Sequence, residues 1–354
     1  MKKKIYTIVP DLPPNVNGLG DYAYLLGKKI MENCSVYDIE FIVAGNTDYK
    51  YGEFNGFIVH VIKEKKANTL LQLLNSLNVG YIHLHYVGYG YDKRGIPLWL
   101  YFALYKWKQK DGNTLLTTFH ELFAISKIPW TSSFWNQCLQ RLICKKIYLI
   151  SKSIVTSREA FRKYLFKISP FIDIYVYPVY SNFGELNECQ NIEIRDKGIV
   201  ILGSHEKRFI IYKKYQKELH IICQKYSIDR IIDIGPKLGK LPLLNAPIIE
   251  LGILESNQIS NLLKKNLFGI IAGHSSDFFA KSGIFAAYAA HGNIVFALNA
   301  NLSKIEDGII VNHHFVTINS VDINYNLISK TIYEWYNHHN LKKQSDAYSD
   351  IFNL

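Results

Sequence analysis

The chain has 354 residues, of which 48% are hydrophobic, 20% charged and 14% aromatic, with 25 tyrosines; this excludes a disordered or low-complexity protein, and the length suits two domains of ordinary size. The formal charge is +11 and lopsided: residues 1–185 hold 23 basic and 14 acidic side chains, the remainder 18 and 16. Such a field draws nucleic acid, anionic lipid or phosphorylated small molecules, but only seven of the 41 basic residues are arginine and no nucleic-acid motif is present, so a nucleic-acid partner is not expected.

Short apolar runs alternate with longer amphipathic stretches, the pattern of an α/β protein with parallel sheets. Strand Ile5–Val9 leads into the turn-rich Pro13–Gly20 and a helix over Asp21–Met31, with Tyr22, Leu25, Leu26 and Ile30 on one face. Strands over Ile39–Ala44 and Gly56–Ile62, a helix over Asn68–Leu77 and a strand over Tyr81–His85 come next. Helix Pro97–Lys108, strand Leu115–Phe119, helices Ser132–Ile150 and Ser157–Tyr164, and strands Ile154–Thr156 and Ile174–Val176 complete the first series. Val179–Arg195 is polar, lacks periodicity and reads as a linker. A second series has strands Gly198–Leu202, Ile231–Ile234 and Ile248–Leu251, helix Glu255–Leu263, strand Phe268–Ala272, helix Ser282–His291, strand Asn293–Ala297 and a final helix over Ile323–Asn337. Two doubly wound, Rossmann-like domains facing a cleft are expected, over 1–185 and 196–337.

Ligands of such sheets bind beyond the carboxyl ends of the strands, so the loops there carry the candidate chemistry. Asn17–Asp21 offers Gly18 and Gly20, whose amides could approach a phosphate at a helix N-terminus; alternatively it is a tight turn with Asp21 as N-cap. Strand end Thr117–Glu121 presents His120, able to hydrogen-bond a sugar hydroxyl or meet developing charge. Gly203–Arg208 places a glycine and the Lys207-Arg208 pair at a helix start, a poor place for cations unless an anion binds there. Asp277–Gly283 brings Lys281 to the N-terminus of an alanine-rich helix, with Ser282 as N-cap and Gly292 as its C-terminal stop. His85–Trp99 sets Tyr86, Tyr89 and Tyr91 among glycines, either a flexible aromatic platform for sugars or a loop packed by its own side chains.

Five scattered cysteines without a C-x-x-C pair indicate neither zinc nor a disulfide framework, and read as reduced thiols of a cytoplasmic protein. The basic opening has too short an apolar run for a signal peptide, and no run suggests a membrane span. Phe134–Lys167 interleaves apolar and basic residues and could rest on an anionic membrane at its inner face, or be ordinary core helices with solvated lysines.

These loops together resemble the GT-B nucleotide-sugar glycosyltransferases, specifically the retaining, family-4-like bacterial enzymes of surface-polysaccharide assembly. The resemblance rests on Asn17–Asp21, Tyr86–Trp99, Thr117–Ala124, Ile154–Ala160, Asp233–Pro236 and Lys281–Gly292. It implies an acceptor-binding first domain, with Asp21, Tyr86, Tyr89, Tyr91, Arg94 and Glu121 toward a glycan or lipid-linked acceptor, and a last segment, about 338–354, returning to it. It implies a second domain holding a nucleotide diphosphate-sugar. Gly18, Gly203, Lys207, Gly235, Pro236, Ser282 and Gly283 would face the diphosphate or sugar, and Gly252, Ile253 and Leu254 the base. His120, Arg208 and Lys281 would be catalytic. No D-x-D motif occurs, so no metal or cofactor is expected beyond the sugar-nucleotide co-substrate. The family's paired glutamates are absent, their positions being taken by Phe279 and Ala287, with Asp277 a candidate replacement. An epimerase of similar fold and a nucleotide-binding scaffold without turnover are the alternatives.

Overall fold

The computed structural model of the protein describes residues 2–15, 17–50, 52–125, 129–130, 132–239, 241–272, 276–300 and 306–353. In chain order the first series is β1 (Lys3–Val9), α1 (Gly18–Asn33), β2 (Tyr37–Val43), β3 (Glu53–Phe54), β4 (Phe57–Val61), α2 (Ala67–Ser76), β5 (Tyr81–Tyr86), α3 (Gly88–Tyr91), α4 (Leu98–Lys108), β6 (Thr114–Phe119), α5 (Ser132–Ile150), β7 (Ser153–Thr156), α6 (Glu159–Phe166) and β8 (Asp173–Val176). The second is β9 (Asp196–Leu202), α7 (His205–Lys214), α8 (Gln216–Lys225), β10 (Arg230–Ile234), β11 (Ile248–Gly252), α9 (Ser256–Lys265), β12 (Asn266–Ala272), α10 (Gly283–Ala290), β13 (Ile294–Leu298) and α11 (Tyr325–Asn337), followed by α12 (Leu341–Asn353).

The chain forms two compact units, Met1–Tyr177 with Leu341–Leu354, and Pro178–Asn340. Val179–Arg195, a linker by composition, packs with the second unit, where Val179 donates its amide to the Ala280 carbonyl.

The first sheet has the order β3-β4-β2-β1-β5-β6-β7-β8, and every pairing but the β3–β4 hairpin is parallel. The second has the order β11-β10-β9-β12-β13, all parallel. Parallel strands are covered on both faces, which is why β12 and β13 are buried at every residue and are apolar throughout apart from Asn266 at the start of β12. Each order reverses once, between β1 and β5 in the first sheet and between β9 and β12 in the second. These reversals leave room at the strand ends that no crossover helix fills.

Local chemistry sets the two helices that open at these points. In α1 the cap is Asn17 rather than Asp21: its side-chain oxygen accepts from the Leu19 and Gly20 amides at 3.0 and 3.2 Å. Asp21 sits one turn in, where a carboxylate favours the helix dipole. In α10 Ser282 is the cap, its Oγ accepting from the Phe285 amide at 3.2 Å, and Gly292 ends the helix at φ +62°. All of α10 after Ile284 is buried, and its Tyr288 ring lies against Gly269 of β12, where any Cβ would come within 2.5 Å of the ring.

Candidate functional site

In the second unit, a glycine follows β9 and β10 and a glycine ends β11, their neighbour in the sheet. Leu202, Ile234 and Gly252 lie side by side in register across β9, β10 and β11. Gly203, Gly235 and Gly252 have φ of +141°, +143° and +72°, backbone geometries that a side chain would strain. The Gly235 amide donates to the Gly252 carbonyl at 2.8 Å, so neighbouring loops are tied together.

Arg208 lies beneath this edge. Its Nε donates to the Gly203 carbonyl at 3.1 Å. Nη1 meets Asp233 and Nη2 meets the Pro236 carbonyl, and the side chains of both Arg208 and Asp233 are fully buried. Tyr212 completes the set by donating to Asp233 Oδ2 at 2.9 Å. The sequence reading made Arg208 a catalytic cation for the diphosphate. The structure corrects that: its guanidinium is enclosed and binds the β9 and β10 loops to one another, because Asp233 in the neighbouring strand gives it a buried counter-charge.

Lys207, one residue earlier, remains at the solvent side of α7. Its ammonium is held below the usual lysine range by desolvation and by the Lys281 ammonium. Lys281 stands immediately before the α10 cap, with Nζ 5.0 Å from the Phe278 ring centroid. The two loops touch directly, since a Cβ on Gly203 would lie 2.9 Å from Ile284 Cδ1 and 3.8 Å from Lys207 Cβ. The Ser282 amide already donates to the Phe279 carbonyl at 2.9 Å. The helix therefore offers the amides of Gly283 and Ile284, which as first-turn donors have no acceptor inside the helix. Around Gly283 a Cβ would meet nothing within 4 Å. The β9–β12 reversal thus gathers two ammonium groups and a helix N-terminus beside open space, the equipment for a diphosphate. Pro236 and Ile253 are exposed on the same sheet edge, with Gly252 and Leu254 half-buried.

Phe279 and Ala287, at the positions of the paired glutamates, are packed in the core; Phe279 stacks on Phe285 with centroids 4.7 Å apart. A carboxylate at either position would be desolvated, so neither reaches a ligand. The side chain of Asp277 and residues 273–275 lie outside the described residues.

In the first unit, His120 follows β6 and is half-buried. Its Nε2 is 2.9 Å from Nδ1 of His85, and burial pushes its pKa down to about 3. His83 is likewise held at about 3 by desolvation and by His120, and His85 well below its usual value. All three are therefore neutral imidazoles at pH 7. Asp21, half-buried at the start of α1, is pushed up to about 6 by desolvation. Gly18 beside it is exposed, and a Cβ there would meet nothing within 4 Å; Gly20 is the residue that must be glycine, since its Cβ would fall 2.5 Å from the Asp11 carbonyl oxygen.

The tyrosine loop is packed rather than flexible. Tyr86 and Tyr91 are fully buried, Tyr91 donating to the carbonyls of Ile8 and His85 at 3.2 and 2.8 Å. They are core residues, not an acceptor platform. Gln140 of α5 holds the rest, donating to the Tyr89 hydroxyl and the Arg94 carbonyl at 3.0 and 2.8 Å. Tyr89, Arg94 and Glu121 remain exposed. Asp233 stands out in the sequence only as part of the Asp233–Pro236 strand end and Tyr22 only as part of an apolar helix face, while Gln344 carries no signal; the partner that gives each its role lies far away in sequence.

No family model and no curated protein matches the chain. Solved structures do. The structure of a sucrose-phosphate synthase from Thermosynechococcus elongatus superposes with a TM-score of 0.63 at 12% identity, covering 99% of this chain and 98% of that one. A UDP-forming α,α-trehalose-phosphate synthase from Burkholderia xenovorans gives 0.62 at 8% identity, covering 99% and 98%. A putative UDP-N-acetylglucosamine 2-epimerase from Listeria monocytogenes gives 0.54 at 12% identity, covering 98% and 91%. These likenesses define an α/β fold of the GT-B class over the whole chain.

Proposed function

We propose that the protein is a glycosyltransferase that moves a hexose-type sugar from a nucleotide diphosphate-sugar to a glycan or lipid-linked acceptor. The observation carrying this reading is the meeting of Lys207, Lys281 and the α10 N-terminus at the strand-order reversal of the second sheet. Breaking the sugar–phosphate bond builds negative charge on the departing diphosphate. Two ammonium groups and fixed amides lower that barrier without reorganising in the step. The same cations supply what a metal would, so turnover is expected in the presence of a chelator. His120, as a neutral imidazole, would hydrogen-bond the transferred sugar, and Asp21, Tyr89, Arg94 and Glu121 stand on the acceptor side. Retention of configuration follows from the family resemblance, and the uridine donor from the names of the similar structures.

Titration calorimetry with UDP, GDP and ADP tests the donor site. Binding of one of them in the micromolar to millimolar range is expected, and no heat from any of them at millimolar concentration overturns the assignment. The epimerase likeness supports a second reading. Release of free nucleoside diphosphate only when acceptor is present separates transfer from epimerisation, and binding without turnover identifies a scaffold.

The acceptor side includes an anionic membrane surface in this proposal. Along one face of α5, Trp135 (73% exposed), Leu139, Leu142 and Leu149 stand in the open among exposed Arg141, Lys145 and Lys146. Apolar side chains with a basic surround match an acyl–headgroup boundary. No described helix is long and apolar enough to cross a membrane. Sedimentation with phosphatidylglycerol vesicles, but not phosphatidylcholine vesicles, is expected, and is lost in Trp135→Ser with Leu142→Ser.

A further inference from the structure

Among the described residues His120 makes one side-chain hydrogen bond, to His85 on the neighbouring strand, with the two rings stacked 5.2 Å apart at 21°. A single bond leaves an imidazole free to tilt. What blocks the tilt is Tyr22 of α1, whose ring stands at 85° to His120 with centroids 5.0 Å apart. Tyr22 also meets the His85 ring at 5.8 Å. Tyr22 is in turn held from elsewhere: its hydroxyl donates to Oε1 of Gln344 at 2.9 Å, and Gln344 is fully buried in α12. One turn on, Tyr348 shares a 2.7 Å hydrogen bond with Thr118 Oγ1, which also meets His83 Nε2 at 2.8 Å. The last helix thus reaches the strand that precedes His120 by a hydrogen bond from Tyr348 to Thr118, and the His120 ring itself by way of Gln344 and the Tyr22 ring. Buried polar groups of this kind hold one geometry, because any other leaves a desolvated group unsatisfied.

We propose that Tyr22 and Gln344 are positioning residues for His120, so that α12 is a working part of the His120 site and not only a structural strap. Its consequence for turnover rests on the glycosyltransferase reading; the orientation of the ring does not.

The test compares three variants by histidine-ring nitrogen resonances in 15N-histidine-labelled full-length protein, together with thermal unfolding. Tyr22→Phe removes the hydroxyl alone, and Gln344→Leu removes the hydroxyl's Gln344 acceptor while leaving its contact with Tyr348. Tyr37→Phe is the control: the Tyr37 hydroxyl anchors the same helix, at 2.9 Å from the Ser349 carbonyl oxygen and 2.6 Å from Asn353 Oδ1. All three should lower the unfolding temperature. Only Tyr22→Phe and Gln344→Leu should move the His120 signals, and in them kcat should fall about tenfold with the donor KM unchanged, as for a misplaced contact group. His120 signals unmoved in both variants, or moved equally by Tyr37→Phe, overturn the proposal. Shifted signals in a protein without transferase activity support the positioning role while removing the glycosyltransferase reading.

Discussion

Arg208 and Asp233 form an ion pair in which neither side chain has any exposed surface. They come from α7 and β10, and the pair holds because the parallel register sets Asp233 beside Ile201, just before the loop whose Gly203 carbonyl also receives the guanidinium. Truncating one member leaves the other charge buried without compensation, at a cost of about 3–5 kcal/mol. Arg208→Met should therefore lose about that much stability in urea unfolding. A variant of undiminished stability that merely fails to bind nucleotide would return Arg208 to the role of a phosphate cation.

Lys207 and Lys281 give the proposed donor site a pH signature. Lys207 is held low by desolvation and by Lys281, so its charge is lost at a lower pH than an ordinary lysine's. Affinity for UDP should fall as pH rises through that lowered value. Lys281→Met should weaken binding about tenfold, the usual order for one charge-assisted contact, and should move the alkaline limb to higher pH because the repelling neighbour is gone. Calorimetry between pH 7 and 10 reads both effects.

Glycines at the site separate packing from ligand access. Gly203→Ala should destabilise the fold, since its φ is +141° and its Cβ would press on Ile284. Gly283→Ala should leave the unfolding temperature essentially unchanged, because its Cβ would enter open space at the first position of α10, yet weaken UDP binding. Thermal unfolding with and without UDP distinguishes them.

The histidine cluster makes the first unit acid-sensitive. His83 and His120 have folded pKa values of about 3, below the unfolded value of 6.5. Between those limits the unfolded chain binds protons that the folded chain refuses, so their stabilisation is present above pH 6.5 and lost as pH falls toward 3. Each contributes a slope of up to about 1.4 kcal/mol per pH unit. Replacing His83 by Gln should flatten the acid limb of unfolding free energy against pH.

Asp21 acts in the opposite sense. Its folded pKa of about 6 lies above the ordinary 3.8, so the ionised carboxylate costs stability above pH 6 and the cost is relieved as pH falls toward 3.8. Asp21→Asn should raise the unfolding temperature by a few degrees at pH 8 and leave it unchanged at pH 4. A loss at pH 8 would show that the carboxylate is stabilised by a partner.

The alternation of strands and helices was readable in the sequence because burial on both faces demands apolar runs, and crossover helices demand one apolar stripe. Helix Ser132–Ile150 matches its expected bounds, and the Ser282 cap and Gly292 stop of α10 follow from their own side-chain chemistry. The loops at the strand ends were legible as places for the same reason. Which side chain does what there was not. Tyr86 and Tyr91, among glycines, look like surface residues until β5 carries Tyr86 into the core and the α3 turn folds Tyr91 inward onto the Ile8 and His85 carbonyls. Arg208 looks like an open cation until β10 supplies Asp233, and Gln344 carries no signal until α12 lies against Tyr22. Periodicity and capping depend on neighbours within a few residues, so the sequence alone settles them. The fate of a charge or hydroxyl depends on the partner that strand order and helix docking bring to it, and only the tertiary structure decides that.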